Sequence, residues 1–155
     1  TLIWKFRAHR PKFVAKKELA KGIPSISYNL RNGGSVSIDR KDPKGAVLKI
    51  KGFAKLVKEN CFAVCIFPEG TRSRNGKIKP FKVAGVKTLM DEIPEALVVP
   101  VAIKNTGIID NNGKFLKNVG VRVSFTQLES RTLNLENLES ELIAINAEIK
   151  SVLES

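Results

Sequence analysis

At 155 residues the chain is long enough for one compact domain and too short for two of ordinary size. Apolar residues make up 43% of it and charged residues 27%, the balance of a folded globular domain, which excludes a disordered tail. No stretch approaches the roughly 18 uninterrupted apolar residues that cross a bilayer, so a spanning helix is excluded too.

The charge is uneven. Residues 1–60 hold 15 Lys and Arg against 4 Asp and Glu, residues 61–127 hold 10 against 5, and residues 128–155 hold 2 against 6. A basic front half calls for an anionic partner, whether nucleic acid, a membrane surface or a phosphorylated ligand. The first residue is Thr, and the opening lacks the basic, apolar and small-residue order of a signal peptide. An upstream segment is therefore expected before Thr1.

Leu2-Ile3-Trp4-Lys5-Phe6-Arg7 mixes apolar and basic residues, as a segment near a membrane interface does, although Trp4 suits a core equally. Pro11 breaks any continuous helix here. Phe13-Val14-Ala15 reads as a short buried strand, and Lys16-Lys17-Glu18-Leu19 as a helical turn ending near Gly22. A helix from Pro24 towards Arg31 is closed by Asn32-Gly33-Gly34. Ser35 to Asp39 alternates with strand periodicity.

Asp42-Pro43 supplies a cap and a first helical position. Ala46, Val47, Ile50, Phe53, Ala54 and Val57 then form one apolar face up to Asn60. Ala63 to Phe67 is a nearly continuous apolar run, which predicts a central strand covered on both sides. Cys61 and Cys65, four residues apart in such a strand, would sit about 13 Å apart, too far for a disulfide. They are expected to be core thiols in a reducing compartment.

Arg72 to Lys79 is a polar loop containing Asn75-Gly76. Val83 to Met90 predicts a helix, Leu97 to Ile103 a second apolar strand, Asn111-Asn112-Gly113 a turn and Val119 to Phe125 another strand. Leu135, Leu138, Leu142, Ile145, Ile149 and Val152 recur at steps of three and four, with Glu136, Glu139, Glu141 and Glu148 facing out. This C-terminal amphipathic helix, about 135–153, is read as docking on the domain; a coiled-coil seam is weaker, with fewer than three heptads. Together the elements predict an α/β fold, a mainly parallel central sheet with helices on both faces, whose ligands bind at the carboxyl ends of the strands.

Two strand tips carry candidate chemistry. Gly33 to Arg40 and Ile66 to Ser73 each end an apolar strand with an arginine just beyond it, which suits a shared anion site. An arginine fork holds two phosphate oxygens at once, and Gly70 allows close backbone approach. The bland alternative is two ordinary strand-end ion pairs, Asp39 with Arg40 and Glu69 with Arg72.

The string Phe67-Pro68-Glu69-Gly70-Thr71-Arg72-Ser73 resembles the third sequence block of the glycerolipid acyltransferases typified by 1-acylglycerol-3-phosphate acyltransferase. Gly34 to Arg40 is similar to the second block, with Val36-Ser37-Ile38 where Phe-Ile is commoner. Val98-Val99-Pro100-Val101-Ala102-Ile103 resembles the fourth, and Phe13 to Leu19 resembles a segment common in bacterial members. The matches fall in order between residues 13 and 103. The first block, His-x-x-x-x-Asp, is absent. His9 is the only histidine, Val14 stands five residues on, and His9 is read as a surface or structural residue. The catalytic pair is expected upstream of Thr1, which makes residues 1–155 a single acyltransferase domain lacking its N-terminal portion.

The resemblance implies a glycerol-3-phosphate acyltransferase-like fold. It also implies transfer of a fatty acyl group from acyl-CoA or acyl carrier protein to 1-acylglycerol-3-phosphate in phospholipid synthesis. Histidine would act as base on the acceptor hydroxyl, with aspartate orienting it. Carried over, Arg40 binds the acceptor phosphate, Glu69, Gly70 and Thr71 shape its pocket, and Arg72 adds positive potential. Lys16 and Lys17 are secondary phosphate contacts. No cofactor and no metal is implied. Expected partners are the lysophosphatidate-type acceptor, the acyl donor and an anionic membrane surface at the cytoplasmic face, held peripherally or by an anchor in the missing N-terminal segment, with no nucleic acid. Without its first block the chain as given is expected to be inactive. The rivals are a non-catalytic phospholipid-binding relative and a basic nucleic-acid-binding module. Against the second, no RNP-like, zinc-finger or helix-turn-helix signature occurs.

Overall fold

The computed structural model describes residues 8–21, 24–71, 77–106 and 120–154. The interface-like segment at residues 2–7, Asn75-Gly76 and the turn at residues 111–113 lie outside them. The chain forms two compact units: residues 1–68 with 84–94, and residues 69–83 with 95–155.

The first unit is built on three parallel strands, β1 (Lys12–Lys16), β2 (Val36–Ile38) and β3 (Val64–Cys65), in the order β2-β1-β3. Val14 pairs with Val36 and Lys16 with Ile38, while Lys12 pairs with Val64 and Phe13 with Cys65. A short 3-10 turn, Lys17–Ala20, follows β1, and helix α1 (Pro24–Asn32) leads to β2. Gly34, at φ +73°, takes the left-handed backbone that carries the chain out of α1.

Helix α2 (Pro43–Glu59) starts where the sequence says it should. Asp42 accepts a hydrogen bond from the Gly45 amide at 2.9 Å, Pro43 occupies the first turn, and Asn60 closes the helix. Ile50, Phe53, Ala54 and Val57 are buried together with Leu89 of helix α3 (Val83–Glu92). Val14, Val36, Ile38, Val64 and Ile66 pack against this cluster, so the sheet and the helices share one core. Burial of each large side chain contributes on the order of 1.5–3 kcal/mol.

Three expectations need correction. The Ala63–Phe67 run gives a strand of only two residues at an edge of the three-stranded sheet, not its centre, and Phe67 is 58% exposed. The central strand is β1. Val47, assigned to the apolar face of α2, is 39% exposed, because its position lies at the margin of the buried arc. Cys61 is exposed, at φ +51°, in the turn that precedes β3, and only Cys65 lies within the strand. Burial pushes the Cys65 thiol pKa up, as befits an inert packing residue.

The second unit contains an antiparallel pair, β4 (Val101–Lys104) and β5 (Ser124–Gln127), in register Val101 with Gln127. The predicted strands at 97–103 and 119–125 are thus both present in shifted form, and their antiparallel pairing departs from the parallel expectation. Val98 and Arg131 extend the pairing through a bridge. A 3-10 turn, Leu135–Asn137, then leads into helix α4 (Leu138–Glu154), which packs on β4. Leu138, Leu142, Ile145 and Ile149 are its buried stripe, as the three-and-four spacing predicts. Glu148 does not simply face out: Arg131 holds its carboxylate with two hydrogen bonds of 2.7 and 2.8 Å.

Candidate functional site

Because β1, β2 and β3 are parallel, their carboxyl ends leave the sheet at one edge. β1 ends there in Lys16-Lys17, and β2 ends in Asp39-Arg40-Lys41, a turn formed before α2. The register that sets Lys16 opposite Ile38 therefore brings two cationic tips side by side from positions more than twenty residues apart.

Asp39 organises this edge. Its Oδ2 accepts a charged hydrogen bond from Lys17, and its Oδ1 accepts the Lys41 amide at 2.9 Å. The Lys17 ammonium, and after it the Lys41 amide, lowers the Asp39 pKa, and Asp39 in return raises that of Lys17. Lys16 makes an ion pair with Glu18 at 3.1 Å. Arg40 is exposed and makes no ion pair among the described residues. The Asp39–Arg40 pair of the bland alternative is not formed, because the Asp39 carboxylate is occupied by Lys17 and its own turn. Arg40 is left with its guanidinium turned to solvent, where a phosphate can take both edges of the fork.

Of the second tip, Pro68 ends the first stretch of the first unit, and Glu69 opens the second unit. Glu69 Oε2 accepts the Lys79 amide at 2.9 Å, closing the loop that connects them. Gly70 sits at φ +68°, and a Cβ there would meet the Lys82 side chain at 3.2 Å, so a lysine side chain lies over this glycine. Thr71 is exposed, and Arg72 lies outside the described residues.

Sequence reasoning missed two participants in this geometry. Lys41 contributes an amide rather than a side chain, and Lys82 lies twelve residues beyond Gly70, with no spacing signal to connect them. His9 serves through its backbone, its carbonyl accepting the Ala63 amide at 2.7 Å. Among the described residues, no group of three or more His, Cys, Asp or Glu side chains could hold a metal ion.

Residues 1–104 match the sequence profile of the family described as Acyltransferase, a span that includes both strand tips. The chain belongs to the acyltransferase family. Among curated relatives it is 36% identical to 1-acyl-sn-glycerol-3-phosphate acyltransferase of Helicobacter pylori, over 77% of this chain and 49% of that protein. It is 32% identical to the enzyme of that name from Limnanthes douglasii, over 66% of this chain and 35% of the relative. It is 36% identical to the chloroplastic 1-acyl-sn-glycerol-3-phosphate acyltransferase of Brassica napus, over 72% and 32%. This acyltransferase chain thus spans about a third to a half of the length of these relatives. No solved structure matches it. β5 and α4 lie beyond the family match, so the acyltransferase signature resides in the parallel sheet, its tips and β4.

Proposed function

We propose that this chain is the acceptor-binding part of a 1-acylglycerol-3-phosphate acyltransferase. The enzyme would move a fatty acyl group from acyl-CoA or acyl carrier protein to the free hydroxyl of a lysophosphatidate. The observation that carries this reading is the parallel register of β1 and β2. It gathers Lys16, Lys17 and Arg40 at the carboxyl edge of the sheet, where α/β sheets bind ligands. Arg40 takes the acceptor phosphate, Lys16 supplies a second cation, and Asp39 holds Lys17 against the tip. Glu69, Gly70, Thr71 and Arg72, which the family resemblance singles out, are assigned to the acceptor in this proposal, and the fold to a glycerol-3-phosphate acyltransferase-like sheet covered on both faces. The relatives' names support the lysophosphatidate acceptor.

The reaction needs a base on the acceptor hydroxyl and an orienting carboxylate, and no His-x4-Asp pair occurs among the 155 residues. Binding without turnover is the expected behaviour of this chain by itself, which is also the behaviour of a non-catalytic phospholipid-binding relative. No cofactor enters the proposal; the acyl donor is a co-substrate. No described helix is long and apolar enough to cross a membrane. The proposed location is peripheral, on the anionic cytoplasmic face of a membrane, and the basic front half is assigned to lipid phosphate rather than nucleic acid.

Calorimetric titration of the chain with glycerol 3-phosphate and with a soluble short-chain lysophosphatidate tests the assignment. Loss of a charged, bidentate contact of about 1.5–3 kcal/mol should weaken binding by Arg40→Ala roughly 10- to 100-fold. Unchanged affinity in that variant would remove Arg40 from the site and with it the proposal.

A further inference from the structure

The outward face of α2 is not used by the acceptor site, yet it has an unusual composition for a solvated helix. The helix carries five lysines, Lys44, Lys49, Lys51, Lys55 and Lys58, and its single acid is the last residue, Glu59. At 100° per residue, Leu48 lies almost diametrically opposite the buried residues Ile50, Phe53, Ala54 and Val57. Leu48 is accordingly 71% exposed. Lys44, Lys51 and Lys55 surround it on the same face, and Leu56 flanks it, also exposed. Gly52, one turn on, has open space where a side chain would be. Lys51 leans towards Glu92 at 3.3 Å, whereas Lys44 and Lys55 make no ion pair among the described residues.

We propose that this face of α2 is the surface by which the chain lies on an anionic lipid bilayer, with Leu48 inserted between headgroups and Lys44 and Lys55 on lipid phosphates. The inference rests on the acyltransferase reading for its membrane and names the part of the chain that touches it. Charge complementarity selects an anionic partner. The exposed leucines among the cations, Leu48 and Leu56, select a lipid surface over a nucleic acid: aliphatic side chains with no aromatic beside them neither stack on bases nor read them. The face is convex and its lysines are spread over about three turns, which matches a flat, diffuse negative surface. The helix also starts close to the acceptor edge in the chain, since Arg40 and Lys41 stand just before Pro43, where α2 begins. A bilayer against α2 would thus lie within a few residues of the tip that is to receive a lipid headgroup.

Co-sedimentation of the full 155-residue chain with phosphatidylglycerol/phosphatidylcholine vesicles, and with phosphatidylcholine alone, tests this. Lys44→Gln/Lys55→Gln and Leu48→Ser should each weaken binding to anionic vesicles at least fivefold. The charge-matched Lys21→Gln/Lys87→Gln should change it less than twofold. All three variants alter exposed positions, and circular dichroism with unfolding midpoints confirms that the fold is kept. Equal losses in the charge-matched control would mean diffuse attraction to net charge and would overturn the assignment to α2. So would unchanged vesicle binding in Leu48→Ser. Variants that keep vesicle binding but lose binding to acyl carrier protein or to DNA would overturn it in favour of that partner. Glycerol 3-phosphate affinity, read on the same variants, separates the two proposals: it stays intact if only the membrane face is wrong, and is absent from the unaltered chain if the acceptor site is.

Discussion

Lys17 and Asp39 form an ion pair across the carboxyl ends of two adjacent parallel strands, joining the tip of β1 to the turn that carries Arg40. Both groups are accessible to solvent, so the pair contributes less to stability than to geometry. It holds an aspartate away from the neighbouring arginine, whose charge would otherwise be offset by an internal partner.

The pair has a definite pH signature. The Asp39 pKa is lowered by Lys17, so its contribution is present above the ordinary carboxylate pKa and is lost as pH falls through the depressed folded value. The Lys17 pKa is raised by Asp39, so its contribution is full below the ordinary lysine pKa and is lost as pH rises through the elevated one. The difference in unfolding midpoint between the unaltered chain and Asp39→Asn should therefore be flat from about pH 5 to 9 and shrink below about pH 4. Thermal unfolding across that range checks it; a difference that grows towards acid would show that Asp39 is not the charged partner.

The cap of α2 gives a sharper test. Asp42→Ala removes the oxygen that satisfies the Gly45 amide and should cost about 1 kcal/mol, visible as a lower urea midpoint at unchanged slope. Gly45→Ala would ordinarily gain up to about 1 kcal/mol from helix propensity. Here the added methyl meets the Asp42 carboxylate. The substitution should stabilise the Asp42→Ala background more than the unaltered chain, and equal effects in both would refute the clash.

How far the sequence disclosed all this depended on the range of the interaction involved. The ends of α2 were readable because a cap is local chemistry: Asp42, Pro43 and Asn60 sit within one turn of what they terminate. The stripe of α4 was readable because its period is fixed by the helix itself. Strand position was not. Ala63–Phe67 is the more apolar run, yet β1, with lysines at both ends, takes the middle of the sheet, because pairing is decided by distant segments. The candidate site divides in the same way. Arg40 and Glu69 to Arg72 stood out as residues, whereas Lys17 meeting Asp39 and Lys82 covering Gly70 follow only from register and loop closure.

Packing in the first unit predicts an intolerance at Ala54, which has no accessible surface and lies among Ile50, Phe53, Val57 and Leu89. Ala54→Leu adds three carbons to a filled site and should cost roughly 1–3 kcal/mol through displaced neighbours. Chemical denaturation measures this directly, and a cost below about 0.5 kcal/mol would mean that the cluster has room the structure does not show.

The Glu69 carboxylate is a clasp as well as a candidate ligand group, since it receives the Lys79 amide from ten residues away within the second unit. Glu69→Gln keeps a carbonyl oxygen at the end of a side chain of the same length, so the clasp should survive without the charge. Glu69→Ala leaves the amide without its acceptor. Hydrogen exchange at Lys79 should therefore stay near its original rate in the glutamine variant and quicken several-fold in the alanine variant. Acceptor affinity in the two variants then separates the roles. If Glu69 serves only to fold the loop, Glu69→Gln binds glycerol 3-phosphate as the unaltered chain does. If it also accepts a hydroxyl of the acceptor as a charged group, Glu69→Gln loses affinity while Lys79 remains protected, because a neutral acceptor forms a hydrogen bond about half as strong.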